Sequence, residues 1–377
     1  MTMGRKLLTT ILLMMTVLFI AACGGQEAAQ QDAGNNGAAN TTENEGANEQ
    51  ANEEEETMEP VTLKFADFFP PTHPFQAELI PAWAQAINEA TNGLVTIETY
   101  PGGSLLGNGD IYPGVEQGLA DIGHDVSGYN PGRLPVLNSM YLGGIEYKNS
   151  KVSSYVAWDL VHELQPAELQ DTQLMFLYGM SPGVLMTTEP IRTLEDLKGK
   201  QIRASGTNVD TLEMLGATPV ALPISETYEA MARGVVDGSL LPVEALKGFN
   251  LAEVTKYVTH SSLIYNTVHY VTMNKQVWES FPAHIQEAIT KVNEEFFEKA
   301  VELFSGLMDE GLRYAVEEHG VQEIHLTEEE HARWEEALAP LIDRHIEELN
   351  KQGLDGQLIM DKIRELADKY NKEFGDE

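Results

Sequence analysis

Apolar and polar positions alternate with two different periods in the first part of the chain. Val61 to Ala66 alternate with a period of two, which is typical of a β-strand. Residues 77–92 place apolar side chains at helical spacing and end at Gly93. These periods predict strands over 61–66, 94–100 and 120–123, with helices over 77–92 and 110–120 between them. A strand–helix–strand order of this kind predicts an α/β unit with a largely parallel sheet.

The same order returns later in the chain. The pattern there predicts strands over 201–204, 219–222 and 235–238, with helices over 207–215 and 225–233. Two such modules in 377 residues predict two lobes, since roughly 150 residues suffice for one domain.

The pattern becomes helical beyond residue 282. One apolar stripe consists of Ile285, Ala288, Ile289, Val292, Phe296, Ala300, Leu303, Phe304 and Leu307. Thr327, followed by three glutamates, predicts the start of another helix with a capping box, and residues 357–374 predict a last amphipathic helix. We interpret these stripes as packing surfaces, with binding of a partner protein as the alternative.

The N-terminus has the pattern of a secretory signal peptide. Arg5 and Lys6 precede an apolar run over 7–22, which ends in small residues before Cys23. The run is too short and too close to the N-terminus for a good transmembrane helix. Its end resembles the lipobox of a bacterial lipoprotein, which predicts a signal peptide over 1–22 and lipidation of Cys23. An ordinary signal peptide beside an incidental free cysteine is the alternative.

Residues 23–59 are expected to form a disordered acidic tether. They hold ten acidic, no basic and no aromatic residues, so they cannot bury enough apolar surface to fold. The whole chain carries 59 acidic and 24 basic residues, a formal net charge of −35. This charge repels phosphate backbones and argues against nucleic-acid binding. The single cysteine excludes an intramolecular disulfide and a cysteine-based metal cage.

The sequence offers no motif of a known catalytic chemistry. It contains no Gly-x-Ser-x-Gly nucleophile elbow, no Walker loop and no His-Glu-x-x-His motif. Gly107-Asn108-Gly109 begins like a dinucleotide-binding loop, but Tyr112 stands where the third glycine belongs. His124 and Asp125 are neighbours on a strand and face opposite ways, which argues against a shared metal. We therefore predict no enzyme, no cofactor and no metal site.

A series of short motifs follows in fixed order between residues 190 and 260. Its members are Glu195–Arg203, Leu215–Pro219, Glu226–Met231, Gly234–Gly238 and Glu253–Thr259. Earlier motifs are Tyr100-Pro101, Gly118–Ile122 and Tyr129–Pro135. Over residues 61 to about 350, this series resembles the extracytoplasmic solute-binding subunits of TRAP transporters, the DctP family.

The resemblance implies a two-lobed α/β fold like that of periplasmic binding proteins, with a hinge and long C-terminal bracing helices. The cleft of such proteins closes over a small organic anion, and the closed form docks on a permease driven by an ion gradient. We predict lobe I over 60–180, completed by about 272–311. Lobe II is predicted over 181–271, completed by helices over about 312–377.

Arg203 matches the family arginine that pairs with the carboxylate of the solute. A guanidinium is always charged, and its planar fork matches a carboxylate. A structural ion pair with a nearby acid is the alternative.

Two positions depart from the sialic-acid-type members of the family. Leu241 stands in the place of their ligand asparagine, and their second ligand arginine falls near Gly183. These departures predict a less polar pocket with one anion hook. They favour a monocarboxylate with an aromatic or aliphatic body over a sugar acid, and a C4-dicarboxylate stays open.

Further candidates for the cleft lining lie near predicted strand ends. Asp125, Ser127 and Tyr129 follow the strand near residue 122, where a loop of an α/β lobe meets the cleft. Glu244 and Tyr265 lie near later cleft segments of the family.

The sequence as a whole predicts a lipid-anchored, monomeric receptor outside the cytoplasmic membrane. It would bind an organic acid and deliver it to the membrane subunits of a TRAP permease. One alternative is a sensory accessory protein that hands the liganded form to a membrane receptor. Another is a secreted enzyme with a similar cleft.

Overall fold

The computed structural model describes residues 58–130, 132–180 and 182–376. The predicted signal peptide, Cys23 and all but the last two residues of the predicted tether lie outside these residues. Among the residues that the structure describes, none of the helices combines the length and the apolar character needed to span a bilayer.

The strands of the described chain form two sheets. In chain order they are β1 (Val61–Asp67), β2 (Val95–Tyr100), β3 (Ile122–Val126), β4 (Thr172–Met180), β5 (Gly183–Thr187), β6 (Gln201–Ala204), β7 (Thr218–Ala221), β8 (Gly238–Pro242), β9 (Tyr257–His260), β10 (Thr267–Asn274) and β11 (Gln322–His325). The first sheet has the order β2-β1-β3-β10-β4, and the second has the order β11-β9-β5-β8-β6-β7.

The helices cover the sheets and the C-terminal part of the chain. They are α1 (Ile80–Ala90), α2 (Ile111–Glu116), α3 (Pro135–Ser139), α4 (Ser150–Leu164), α5 (Leu194–Leu197), α6 (Asn208–Met214), α7 (Thr227–Ala232), α8 (Ala245–Gly248), α9 (Lys275–Glu279), α10 (Ala283–His319), α11 (Glu328–Lys351) and α12 (Gly356–Phe374). The mixed α/β class predicted from the sequence is confirmed. α1 ends as predicted before Gly93, whose φ of 81° suits the end of a helix.

Both sheets are mixed, which corrects the expectation of largely parallel sheets. β1 runs parallel to β2 and β3, and β6 runs parallel to β7 and β8. However, β10 lies antiparallel between β3 and β4, and β5 lies antiparallel between β8 and β9. The difference arises because these two strands enter their sheets from the other sheet, so no crossover helix sets their direction.

The chain passes between the two sheets at two short connections. β4 precedes β5, and residues 261–266 separate β9 from β10. A few loop residues such as 261–266 can act as a hinge. Because β10 pairs with β3 and β4, the lobe boundary predicted at residue 271 falls inside a strand of the first sheet.

The predicted strand at 235–238 starts later than the pattern indicates. β8 begins only at Gly238, and Asp237 before it forms a turn in which its carboxylate accepts from the Gln201 backbone N–H at 2.8 Å. A Cβ atom at Gly238 would lie 2.4 Å from the carbonyl oxygen of Met186 on β5. The Asp-Gly pair is therefore explained by close strand packing.

Three long helices close the chain. α10 packs on β4, and α11 is tied to α5 because Arg333 Nη2 pairs with Glu195 Oε1 at 2.7 Å. α12 returns to α4, where the rings of Tyr155 and Tyr370 lie 5.3 Å apart. Since α4 packs on β4, α12 contacts the layer of the first sheet, although the sequence places residues 312–377 with the second lobe.

Of the two reciprocal hydrogen bonds in the predicted capping box at the start of α11, one forms. Thr327 Oγ1 accepts from the Glu330 backbone N–H at 3.2 Å. The Glu330 carboxylate instead accepts from the Leu194 backbone N–H at 3.2 Å. This side chain therefore fastens α11 to the first residue of α5 and leaves the helix cap to Thr327.

Candidate functional site

Arg203 lies at the centre of the candidate site and connects two halves of the molecule, one built on the first sheet and one built on the second. It lies in β6, and only 1 % of its surface is exposed. Its Nε donates to the carbonyl oxygen of Leu222 at 2.8 Å, and its Nη2 lies 3.4 Å from the hydroxyl of Tyr129. Tyr129 belongs to the turn that follows β3 of the first sheet, so the contact bridges the two sheets.

The guanidinium of Arg203 has no acidic partner among the described residues. Within that part of the chain, it hydrogen-bonds only to the Leu222 carbonyl and the Tyr129 hydroxyl. An unpaired charge in a protein interior costs several kcal/mol. The structure therefore places no described acid where a structural ion pair would need one, and the site suits an anion from outside.

Tyr129 connects this arginine to the next strand of the second sheet. Its hydroxyl accepts from the Ile224 backbone N–H at 3.1 Å, just beyond β7. Burial raises the pKa of the Tyr129 phenol, and the charge of Arg203 partly opposes this rise. The phenol thus stays protonated at neutral pH and offers a hydroxyl hydrogen beside the guanidinium.

Tyr265 lies close to the same group of side chains. Its hydroxyl donates to Thr267 Oγ1 at 3.2 Å. Burial raises the pKa of Tyr265 well above the usual value, and Arg203 and Tyr129 are among the groups whose charges act on it. Its ring packs on Gly183, where a Cβ atom would lie only 2.2 Å from it. Position 183 therefore has no room for an arginine.

The turns after β3 and β6 approach each other closely at a pair of glycines. A Cβ atom at Gly206, after β6, would lie 3.0 Å from the Cα atom of Gly128, after β3. Tyr141 supports this contact, because its hydroxyl accepts from the Gly128 backbone N–H at 3.1 Å. Ser127, the neighbour of Gly128, is fully buried at the same turn. Ser127 is thus near the contact between the sheets.

Asp125 lies beneath this turn and is already satisfied. Its carboxylate accepts from the backbone N–H groups of Tyr112 at 3.1 Å and Val126 at 2.8 Å, and from Asn130 Nδ2 at 2.9 Å. Burial raises the pKa of Asp125 to about 6, although these donors oppose the rise. In this arrangement Asp125 positions the turn that carries Tyr129 and does not reach Arg203.

Glu244 lies apart from the arginine. Its carboxylate is 3.2 Å from Nε2 of His73, and both side chains are buried. These two residues line a separate cavity of about 310 Å³ together with Lys247 and Tyr314. Glu244 thus links the segment after β8 to the segment after β1.

The strand beside Arg203 places a serine and a leucine on the same side as this arginine. Ser239 is the register partner of Arg203 across β6 and β8, and its buried Oγ has no hydrogen-bond partner among the described residues. Leu241 stands two residues further along β8 and therefore on the same face. Arg203 is the charged one of these three side chains.

A cavity of about 560 Å³ opens beside Tyr129. Its walls come from the turns after β3, β6 and β7 and from the C-terminal part of α11, and they include Tyr129, Ser205, Asp210, His345 and Glu348. Of the site residues predicted from the sequence, Tyr129 lines this cavity, whereas Arg203 lies behind its wall, next to Ala204. Ligand pockets in proteins usually measure about 300–1,000 Å³, so the size suits a small molecule.

A buried cluster beside Tyr129 was missed by the sequence analysis. The ring of Phe68 meets that of Tyr129 edge-on at 5.8 Å and stacks on His124 at 5.1 Å. His124 Nδ1 lies 2.8 Å from Asp67 Oδ1, and its Nε2 lies 3.2 Å from Nδ1 of His269. Burial, followed by the charge of His124, lowers the pKa of His269 well below its usual value. The position of Phe68 at the carboxyl end of a predicted strand was the available signal.

The chain is similar to known solute-binding proteins over most of its length. Residues 65–349 match the family model described as bacterial extracellular solute-binding protein, family 7 (DctP). The chain is 26 % identical, over 78 % of its length and 89 % of the relative's, to the C4-dicarboxylate-binding periplasmic protein DctP of Rhodobacter capsulatus.

Solved structures agree with this match. A marine metagenome TRAP solute-binding protein, specific for aromatic acid ligands and in complex with 3-hydroxybenzoate, has a TM-score of 0.78 and 28 % identity, covering 84 % of this chain and all of that one. A TRAP periplasmic solute-binding protein of Desulfovibrio salexigens has a TM-score of 0.72 and 31 % identity, covering 82 % and 96 %. The chain therefore belongs to the DctP family of extracytoplasmic solute-binding proteins of TRAP transporters.

Proposed function

We propose that this protein binds a small organic acid outside the cytoplasmic membrane and delivers it to an ion-gradient-driven TRAP permease. Arg203 pairs with the carboxylate of the solute as the two halves close around it. The single observation that carries this proposal is a buried arginine that touches both halves and has no acidic partner among the described residues.

The arginine explains how binding and closure can be coupled. A carboxylate that accepts from the free N–H groups of Arg203 also comes within reach of the Tyr129 hydroxyl, which belongs to the other half. The solute therefore gains contacts in the closed form that the open form lacks. A ligand shifts such an equilibrium only through this difference in affinity.

The surroundings of Arg203 favour a monocarboxylate with an aromatic body. Among the described residues, the Tyr265 ring fills the space at Gly183 where a second arginine would stand, and the neighbouring Leu241 is apolar. Phe68 adds a flat apolar surface next to Tyr129. The metagenome relative with 28 % identity binds 3-hydroxybenzoate, a ligand of this class. A C4-dicarboxylate remains the second class to test, as the name of the Rhodobacter relative indicates.

The proposal is tested by a thermal-shift screen with benzoate, 3-hydroxybenzoate, mandelate, succinate and malate. A solute at about 100 times its Kd should stabilise the protein by about 2.7 kcal/mol, which raises Tm by several degrees. Arg203→Ala should abolish the shift, because it removes the partner of the carboxylate. Arg203→Lys should keep only part of it, since an ammonium lacks the planar fork.

The matched control is Arg233→Ala, which removes an arginine that is 75 % exposed from the same half of the molecule. It should leave every solute-induced shift unchanged. A solute that stabilises the wild type and Arg203→Ala equally would remove Arg203 as its partner. Absence of a shift with every acid, after removal of copurified ligand by unfolding and refolding, would contradict the organic-acid assignment.

We also propose that Cys23 carries the lipid anchor. The lipobox-like sequence before it supports this assignment, and the acidic segment that follows would hold the receptor near the membrane. Mass spectrometry of the membrane fraction should find a diacylated N-terminal Cys23. Cys23→Ala should release the protein from that fraction, and a soluble wild type would contradict the anchor.

A further inference from the structure

A histidine of β9 converges with a glutamate and a histidine of β11 at the outer edge of the second sheet. His260 ends β9 and His325 ends β11, and the two are register partners in a parallel pair of strands. Glu323 stands two residues before His325 and therefore on the same face. The three ligand atoms all lie within 4.8 Å of one another.

The carboxylate of Glu323 sits between the two rings. Its Oε2 is 3.0 Å from Nε2 of His260 and 3.9 Å from Nε2 of His325. The two imidazoles are nearly parallel, with centroids 4.6 Å apart and 8° between their planes. The Nε2 atoms of both rings therefore face the same oxygen of Glu323.

The ligand types of the cluster suit a metal. Two imidazoles and a carboxylate form the three-ligand set of many zinc sites, in which water takes the fourth position. In a tetrahedral zinc site the ligand atoms lie about 3.4 Å apart. His325, which is 71 % exposed, has the freedom to close the remaining distance.

We propose that His260, Glu323 and His325 bind a divalent transition-metal ion of the zinc type. This site is independent of the proposed solute site, since its ligands belong to the opposite edge of the second sheet from β6 and β7. The bound ion cross-links β11 to β9. Because β11 joins α10 to α11, the ion fastens the long helices to the second sheet.

The experiment is calorimetric titration of the EDTA-treated protein with Zn²⁺, together with Co²⁺ absorption spectra. We expect one Zn²⁺ per chain, the intense visible bands of tetrahedral Co²⁺, and a Tm raised by several degrees at saturating Zn²⁺. His325→Ala and Glu323→Gln should each weaken Zn²⁺ binding at least tenfold and remove the visible Co²⁺ bands. His325→Ala is the decisive variant, because an exposed side chain can be removed without loss of the fold.

The matched controls are His284→Ala and Glu287→Gln, which change an exposed histidine and an exposed glutamate at the start of α10. Both should bind Zn²⁺ like the wild type and keep the Co²⁺ bands. Equal Zn²⁺ affinity in the wild type and His325→Ala would overturn the proposal. The proposal also fails if the wild type binds no Zn²⁺, or if Co²⁺ gives only the weak spectrum of an octahedral ion.

Discussion

Asp67 and Arg203 are charged residues buried in the two sheets, and they differ in how their polar atoms are satisfied. Asp67 ends β1 of the first sheet, and its oxygens accept from the Phe69 backbone N–H and from Gln76 Nε2 and lie 2.8 Å from His124 Nδ1. Among the described residues, Arg203 in β6 of the second sheet hydrogen-bonds only to a carbonyl and a hydroxyl. Both side chains are at most 1 % exposed.

The comparison illustrates two roles that a buried charged side chain can have, stabilising the fold or binding a ligand. The protein completes the surroundings of Asp67 with its own groups, so this acid contributes to the stability of the fold. It leaves part of the guanidinium of Arg203 without a partner among the described residues, which is the observation behind the proposed role of this arginine in binding. A buried polar group that the chain does not satisfy is a place to look for a ligand.

The largest effect is expected for Asp67→Ala. This change leaves three buried groups without their acceptor and should lower the free energy of unfolding by about 3–5 kcal/mol. Urea unfolding measures the loss. Asp121→Ala is the control, because among the described residues this carboxylate accepts one hydrogen bond, from the Lys64 backbone N–H, and its loss should cost about 1 kcal/mol. Similar losses in both variants would contradict a special role for Asp67.

The next effect concerns Asp125, a buried acid whose hydrogen-bond donors among the described residues are two backbone N–H groups and the side chain of Asn130. Burial raises its pKa from 3.8 to about 6, so the folded protein holds this proton more tightly than the unfolded chain. Stability from this group is complete below pH 4 or so and is lost as the pH rises through about 6, a change of about 3 kcal/mol.

Asp125→Asn should therefore flatten the dependence of unfolding free energy on pH over this window. Urea unfolding at several pH values between about 4 and 7 measures it. The exposed Asp110→Asn serves as control and should keep the wild-type slope. An unchanged slope in Asp125→Asn would show that Asp125 keeps an ordinary pKa in the folded protein.

A smaller effect is expected at Gly183. The Cβ atom of Gly183→Ala would overlap the Tyr265 ring, which should lower the unfolding free energy by about 1–3 kcal/mol. Adding Tyr265→Ala should make the two changes clearly non-additive, because the overlap disappears. Strict additivity in the double mutant would mean that the ring does not define the space at this position.

The smallest effect on stability is expected at Arg203 itself. Without solute, Arg203→Met should leave the free energy of unfolding unchanged or raise it by about 1 kcal/mol, because it removes a buried charge that lacks an acidic partner. The same variant should lose the stabilisation by solute. Destabilisation as large as that of Asp67→Ala would instead identify Arg203 as part of the structural framework.

The sequence predicted those features that depend on neighbours along the chain. The end of α1 near Gly93 follows from local backbone preference, and the βαβ modules follow from periodicity. The start of β8 at Gly238 was missed because the reason is the carbonyl of Met186, on another strand. Arg203 was found through the order of the family motifs, and its role remains a proposal.

Side-chain clusters assembled from distant strands could not be predicted in this way. His260 and His325 lie far apart in the sequence and meet only because β11 pairs with β9. His124 attracted attention in the sequence, but its partners Asp67 and His269 come from two other strands. Glu244 lies near a family cleft segment, yet its carboxylate faces His73. In each case pairing across the fold decides what the side chain can do.

The position of β10 has a consequence for how the chain acquires its structure. β10 lies between β3 and β4, although it follows them in the chain by about 90 residues or more. During synthesis, β4 has no neighbour in its sheet until residues 267–274 have been made. The contacts of β4 with β10 therefore join residues far apart in the sequence, and contacts of this kind slow folding. Folding of the N-terminal half is thus completed by a segment from the last third of the chain. A chain that ends before residue 267 would leave the edges of β3 and β4 open to pairing with other molecules.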